Sequence, residues 1–131
     1  MPLVTIIGSP RLSERELEEV SRQTHAALTA HYNVTQDDRF HVLIPGSTGA
    51  RITVPPAYMG KSYSDRIVVI QIVANNTRTP AQKQALLNSL NERICAALDF
   101  RSDDIIICLQ DVAPENSSFG IASVSTAQGV A

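Results

Sequence analysis

The chain is poor in sulfur, has no surplus of basic charge and contains no long apolar run, and each shortage removes a class of function. Its two cysteines, Cys95 and Cys108, form no CxxC pair and have no histidine pair nearby, which argues against a metal site or a redox dithiol. Free Cys is among the most buried residue types, so both read as small core hydrophobes. Lys and Arg number 11 against 13 Asp and Glu, a formal net charge of -2. That balance offers no basic face for nucleic acid and no polybasic strip for an anionic membrane. No apolar segment approaches the roughly 20 residues that span a bilayer, and no basic n-region leads into an apolar stretch at the N-terminus. The expectation is a cytoplasmic protein whose partner is a small molecule or another protein, with neither metal nor cofactor.

What the chain does have is enough apolar residues for a core, 44% of 131, within the usual range of one globular domain spanning 1–131. The stretch "LVTII", 3–7, is a β-branched run and reads as a strand. "SERE", Ser13 to Glu16, matches a capping box, in which the Ser hydroxyl and the Glu carboxylate satisfy the free amides of a helix start. Leu17, Val20, Thr24, Ala27, Leu28 and His31 then recur at helical spacing as far as about Tyr32. "RFHVLI", 39–44, is a second strand.

A shift of 66 positions repeats this plan. "IVVIQIV", 67–73, is a strand, "TPAQ", 79–82, is a second cap, and Pro80 occupies the favoured first helical position. Leu86, Leu90, Ile94 and Ala97 take the offsets of Val20, Thr24, Leu28 and His31; Asp37-Asp38 falls on Asp103-Asp104. The halves, about 2–45 and 67–111, therefore share a β-α-β plan. Between them lies a Gly-, Pro- and Ser-rich connector with a short extended piece expected at Arg51 to Val54. The tail from Ala113 is polar, and no helix is expected there.

A proline, Pro2, opens the first strand. Proline is tolerated there because no ladder bond is asked of its nitrogen, but removal of Met1 before so small a residue would also make it a terminal secondary amine. In a right-handed β-α-β unit the two strands are parallel and start at the same end of the sheet, which brings Pro2 near Asp38. If the halves join about a pseudo-two-fold axis, the end of the strand 67–73 meets the start of the first strand, and Asn75, Asn76 and Arg78 arrive at the same place. A terminal amine titrates at about 7.7–8.0 and can move protons at cellular pH. A neighbouring carboxylate raises that value; burial and a neighbouring guanidinium lower it. Arg78 offers a planar fork suited to a carboxylate. His25 and His31, on or beside the apolar stripe, read as structural, and His41 has no evident partner for metal or triad chemistry.

The start "MPLVTI", the helix end "THAALTAHYNV", the step "DDRFHVL", the stretch "ANNTRTPAQK" and the tail "ENSSFG" together resemble the tautomerase superfamily, most nearly its malonate semialdehyde decarboxylase-like group. The resemblance runs from Pro2 to about Gly120. It implies an α/β (α+β) fold in which two β-α-β units form a four-stranded mixed sheet with two helices on one face, assembled as a homotrimer. It also implies that Pro2 is the catalytic acid or base, that Asp38 holds the proline cation, and that Arg78 binds the substrate carboxylate. Asn75 and Asn76 are candidates to contact a substrate oxygen, and Phe119 to close the pocket. Two positions depart from the pattern: Asn or Thr stands where members with an arginine pair have the earlier arginine, and Ser117 replaces the tail tryptophan, altering the pocket wall.

The expected function is an enzyme that uses Pro2 in proton transfer on a small oxo acid, as a keto-enol tautomerase (isomerase) or a malonate semialdehyde decarboxylase-like lyase, without a cofactor. Asp38 favours a protonated Pro2 and so the decarboxylase version. The alternative is a non-catalytic trimer of the same fold that binds a ligand or protein.

Overall fold

The computed structural model describes residues 1–120. Strand β1 (Leu3–Gly8) leads to helix α1 (Glu14–His31) and strand β2 (Phe40–Ile44); after the connector, β5 (Val68–Asn75), α2 (Pro80–Leu98) and β6 (Ile105–Val112) repeat the order. Two short strands, β3 (Ala57–Tyr58) and β4 (Lys61–Ser62), form a separate hairpin inside the connector.

Both helices begin where the capping chemistry predicts. Ser13 and Thr79 accept from the backbone amides of Glu16 and Gln82, whose side chains return the bond to the cap amide. The four-stranded sheet runs β2-β1-β5-β6, parallel within each half and antiparallel between β1 and β5 at the centre. Leu3 pairs with Phe40 on one side and Val73 on the other. The start of β1, the start of β2 and the end of β5 thus share one end of the sheet, as the repeat requires.

Alternation along the strands sends one face inward. Val4 and Ile6 of β1 and Val68, Ile70 and Ile72 of β5 pack with Leu17, Val20 and Leu28 of α1 and Leu86, Leu90 and Ile94 of α2. Both helices cover this one face. On the other face Leu3, Phe40 and Val42 remain exposed at 39%, 41% and 48%. Among the described residues no helix is long and apolar enough to cross a membrane.

Two expectations are corrected. Residues 51–54 form no strand; the extended pairing falls at β3 and β4, past Pro55 and Pro56, which have no amide to give a ladder. The cysteines are not both core residues, since Cys95 is half-buried and Cys108 exposed. On β6 the neighbours Ile107 and Leu109 pack against the core, so the two-residue period turns Cys108 to the open face. In the tail, Pro114–Asn116 make one short 3-10 turn; the part beyond Gly120 lies outside the described residues.

Candidate active site

At the end of the sheet where the two halves meet, the chain terminus, Asp38 and Arg78 come together. The amine of Met1 lies 3.8 Å from Asp38 Oδ2. Pro2 behind it is buried, and excision of Met1 would make its nitrogen the chain terminus. Burial is the largest influence on the terminal amine and pulls its pKa below the ordinary value; Asp38 opposes this and Arg78 adds to it. Burial therefore outweighs the carboxylate, and the amine is freer of its proton than the nearness of Asp38 alone implies.

Asp38 stands just before β2, at the position where Asp104 stands before β6 in the other half. The two are chemically unlike. Asp104 is 1% exposed and accepts from the Ser64 amide at 2.8 Å and the Ser64 hydroxyl at 2.7 Å, so it is a structural anchor of the connector. Among the described residues Asp38 Oδ1 is buried without a hydrogen-bond partner. A buried, unsatisfied carboxylate oxygen costs stability, and the repeat carries that cost only in the half with the chain terminus.

Arg78 is 8% exposed, in the turn between β5 and α2. Its Nη2 donates to the Tyr32 carbonyl at 2.7 Å, and its guanidinium lies 4.6 Å from the centre of the Tyr32 ring. Burial lowers its pKa, while Tyr32, Asp38 and Asp111 raise it.

Beside the amine is a pocket of about 270 Å³ lined by Met1, Leu3, Val73, Val112, Ser117, Ser118 and Phe119. Phe119 is fixed edge-on against Phe40, with ring centres 4.9 Å apart. Of the expected site residues, Pro2, Asp38 and Arg78 gather around the terminus, and Phe119 walls the pocket. Asn75 ends β5 opposite Val112, and Asn76, exposed, gives its amide to the Val112 carbonyl at 3.1 Å; neither lines the pocket. Ser117 is a pocket wall, in keeping with its place in the tail. Residue-type reasoning missed Tyr32, Phe40, Leu3 and Val73. The pairing of Leu3 with both Phe40 and Val73 was the signal for the last three, because residues opposite on neighbouring strands share a face. Among the described residues no cluster of His, Cys, Asp and Glu could hold a metal ion.

Comparison with known proteins agrees with this geometry. A family model described as "Tautomerase enzyme" matches residues 38–120. The chain is 32% identical over 120 residues to the probable tautomerase YusQ of Bacillus subtilis (strain 168), covering 92% of this chain and 94% of that one. The crystal structure of FG41 malonate semialdehyde decarboxylase inhibited by 3-bromopropiolate superposes with a TM-score of 0.83 at 24% identity, over 97% of this chain and 95% of that one. A fused 4-OT solved as an asymmetric trimer superposes with a TM-score of 0.70 at 18% identity, over 95% and 97%. The last two likenesses concern the fold.

Proposed function

The chain belongs to the tautomerase family, and from that premise we propose that it is a keto-enol tautomerase of small oxo acids whose acid-base group is the Pro2 nitrogen. Met1 is excised, the secondary amine of Pro2 becomes the terminus, and the side chain of Met1 leaves the pocket wall. The observation that carries this reading is the terminal amine, that of Met1 one residue ahead of the buried Pro2, set 3.8 Å from Asp38 in a site whose burial lowers its pKa. An amine whose pKa is held below its ordinary value gives up and takes back a proton more readily at cellular pH.

In ketonisation of an enol, the free Pro2 amine accepts the hydroxyl proton and delivers it to the neighbouring carbon. Asp38 stabilises the ammonium that forms between these steps. Arg78 attracts the substrate carboxylate and stabilises the enolate by its charge. The walls contributed by Leu3, Val73 and Phe119 hold the remainder of a small acid.

A second reading is favoured by Asp38, whose charge raises the share of protonated amine. A cationic Pro2 polarises the carbonyl of a 3-oxo acid, the carbon-carbon bond breaks and carbon dioxide leaves, and the enol is protonated at carbon. The same residues serve both reactions because both pass through an enol or enolate. The open face of the sheet, with Leu3, Phe40 and Val42 exposed, is the surface by which we read the chain as a homotrimer, since contiguous apolar patches mark interaction sites.

Phenylpyruvate ketonisation and malonate semialdehyde decarboxylation, each measured for wild type and Pro2→Ala across pH, test the reading. Tautomerisation that depends on Pro2 and slows below the amine pKa is the expected result. Decarboxylation as the main activity, slowing above that pKa, supports the second reading instead. Absence of both activities, or equal rates in Pro2→Ala, contradicts catalysis by Pro2 and leaves a binding protein of the same fold.

A further inference from the structure

The side chain of Asp38 does little to fix its own position. Among the described residues, Oδ2 pairs with the terminal amine, at 3.8 Å, and Oδ1 is buried without a hydrogen-bond partner. Its aim must come from the turn that carries it, 35–39, where the Asp38 amide donates to the Thr35 carbonyl and the Arg39 amide to the Asp37 carbonyl, both at 3.1 Å.

That turn is held from α1 on both sides of Asp38. Before it, Nε2 of His25 lies 3.0 Å from the Gln36 carbonyl oxygen. A carbonyl only accepts, so Nε2 carries the hydrogen. After it, Arg39 Nη2 donates to Ser21 Oγ at 2.9 Å, and the Ser21 hydroxyl shares a hydrogen bond with Nδ1 of His41 at 2.6 Å. The His25 and His41 rings meet edge-on with centres 5.8 Å apart.

His25 is a costly choice for packing alone. It is 4% exposed, and among the described residues its buried Nδ1 has no hydrogen-bond partner. A leucine would fill such a place without stranding a polar atom. What the imidazole supplies and a leucine lacks is the bond to Gln36.

We propose that His25 is a positioning residue for the reaction: by holding the Gln36 carbonyl it fixes the turn that aims Asp38 at the terminal nitrogen. The part concerning turnover rests on the Pro2 reading above; the part concerning Asp38 and the amine does not. The titratable group facing His25 is His41 on β2, which in turn faces the charge of Arg39, and the groups facing the amine are Asp38 and Arg78.

The test is an NMR titration of the ¹⁵N-labelled Pro2 nitrogen in the processed protein, for wild type, Asp38→Asn, His25→Leu and His25→Gln, with thermal melts to establish folding. Asp38→Asn should lower the Pro2 pKa. His25→Leu should lower it in the same direction by less, and cut kcat/KM for phenylpyruvate about tenfold, short of the roughly hundredfold that a misplacement of a whole ångström can cost. KM should change little, because Arg78 is untouched. His25→Gln, whose amide can donate to the same carbonyl, should restore both values. A Pro2 pKa in His25→Leu equal to that of wild type overturns the proposal, as does His25→Gln behaving like His25→Leu. If His25→Leu does not fold, the ¹⁵N shifts of the wild-type ring decide: a hydrogen on Nε2 supports the proposal and one on Nδ1 overturns it. A titration that responds to His25 in a protein that turns over no oxo acid sinks the Pro2 function alone. An unresponsive titration in an active enzyme sinks the positioning role alone.

Discussion

Arg78 and Tyr32 hold one another in place although they stand 46 positions apart: the arginine donates to the tyrosine carbonyl at 2.7 Å, and its guanidinium carbon sits over the ring, 4.6 Å from the ring centre. The C-terminal end of α1 is thereby tied to the turn that starts α2. A helix C-terminus offers carbonyls that lack intrahelical donors, so a cation is well placed there. The guanidinium is thus oriented in the free protein, and if Arg78 binds an oxo acid as proposed, less freedom is lost on binding.

Two substitutions separate the parts of this arrangement. Arg78→Met removes the charge and should raise KM for an oxo acid by about tenfold to hundredfold, the equivalent of about 1.5–3 kcal/mol for a hydrogen bond to a charged group. Tyr32→Leu keeps the backbone carbonyl and removes only the ring. It should raise KM by about fivefold, for about 1 kcal/mol of cation-π contact. Steady-state kinetics checks both, and a Tyr32→Leu enzyme with wild-type KM would show that the ring does not orient Arg78.

Gly46 is the place where backbone meets backbone. A Cβ added there would lie 2.3 Å from the Pro10 nitrogen and 2.5 Å from the Ser9 carbonyl carbon. Neither neighbour is the loose end of a side chain. Gly46→Ala should destabilise the protein by about 1–3 kcal/mol, the range for forcing extra atoms into packed structure, read as a drop in urea midpoint with an unchanged slope.

His41 makes stability depend on pH. Burial first, then the charges of Arg39 and His25, push its pKa from 6.5 to about 4. Between those values the unfolded chain binds a proton that the folded chain refuses, so stability is full above about 6.5 and is lost as pH falls toward about 4. The whole effect is about 3 kcal/mol. Thermal melts of wild type and His41→Leu across pH 4–7 should give a flatter profile for the variant; parallel profiles would remove His41 as the cause.

Local chemistry made most of the fold legible. The caps Ser13–Glu16 and Thr79–Gln82 start the helices where the residues require, and the repeat alone brings Pro2, Asp38 and Arg78 to one end of the sheet. What local chemistry could not show depends on distant partners. Asp38 and Asp104 look alike in sequence, but Asp104 is held by Ser64, 40 positions away, together with nearby Arg101, while among the described residues Asp38 Oδ1 has no hydrogen-bond partner. The hold of Tyr32 on Arg78 is likewise a contact between the halves. How burial, Asp38 and Arg78 balance on the terminal amine is also a property of the packed molecule, in which burial is the largest influence.

The account stands on the Pro2 nitrogen being the working group, and the most direct test is intact-mass measurement beside turnover. Processed chains beginning at Pro2 are compared with chains in which Met1 is kept by blocking methionine removal. The prediction is that only the processed form turns over an oxo acid. Equal turnover by a chain that mass spectrometry shows to retain Met1 would contradict it, because the Pro2 nitrogen is then an amide with no proton to exchange.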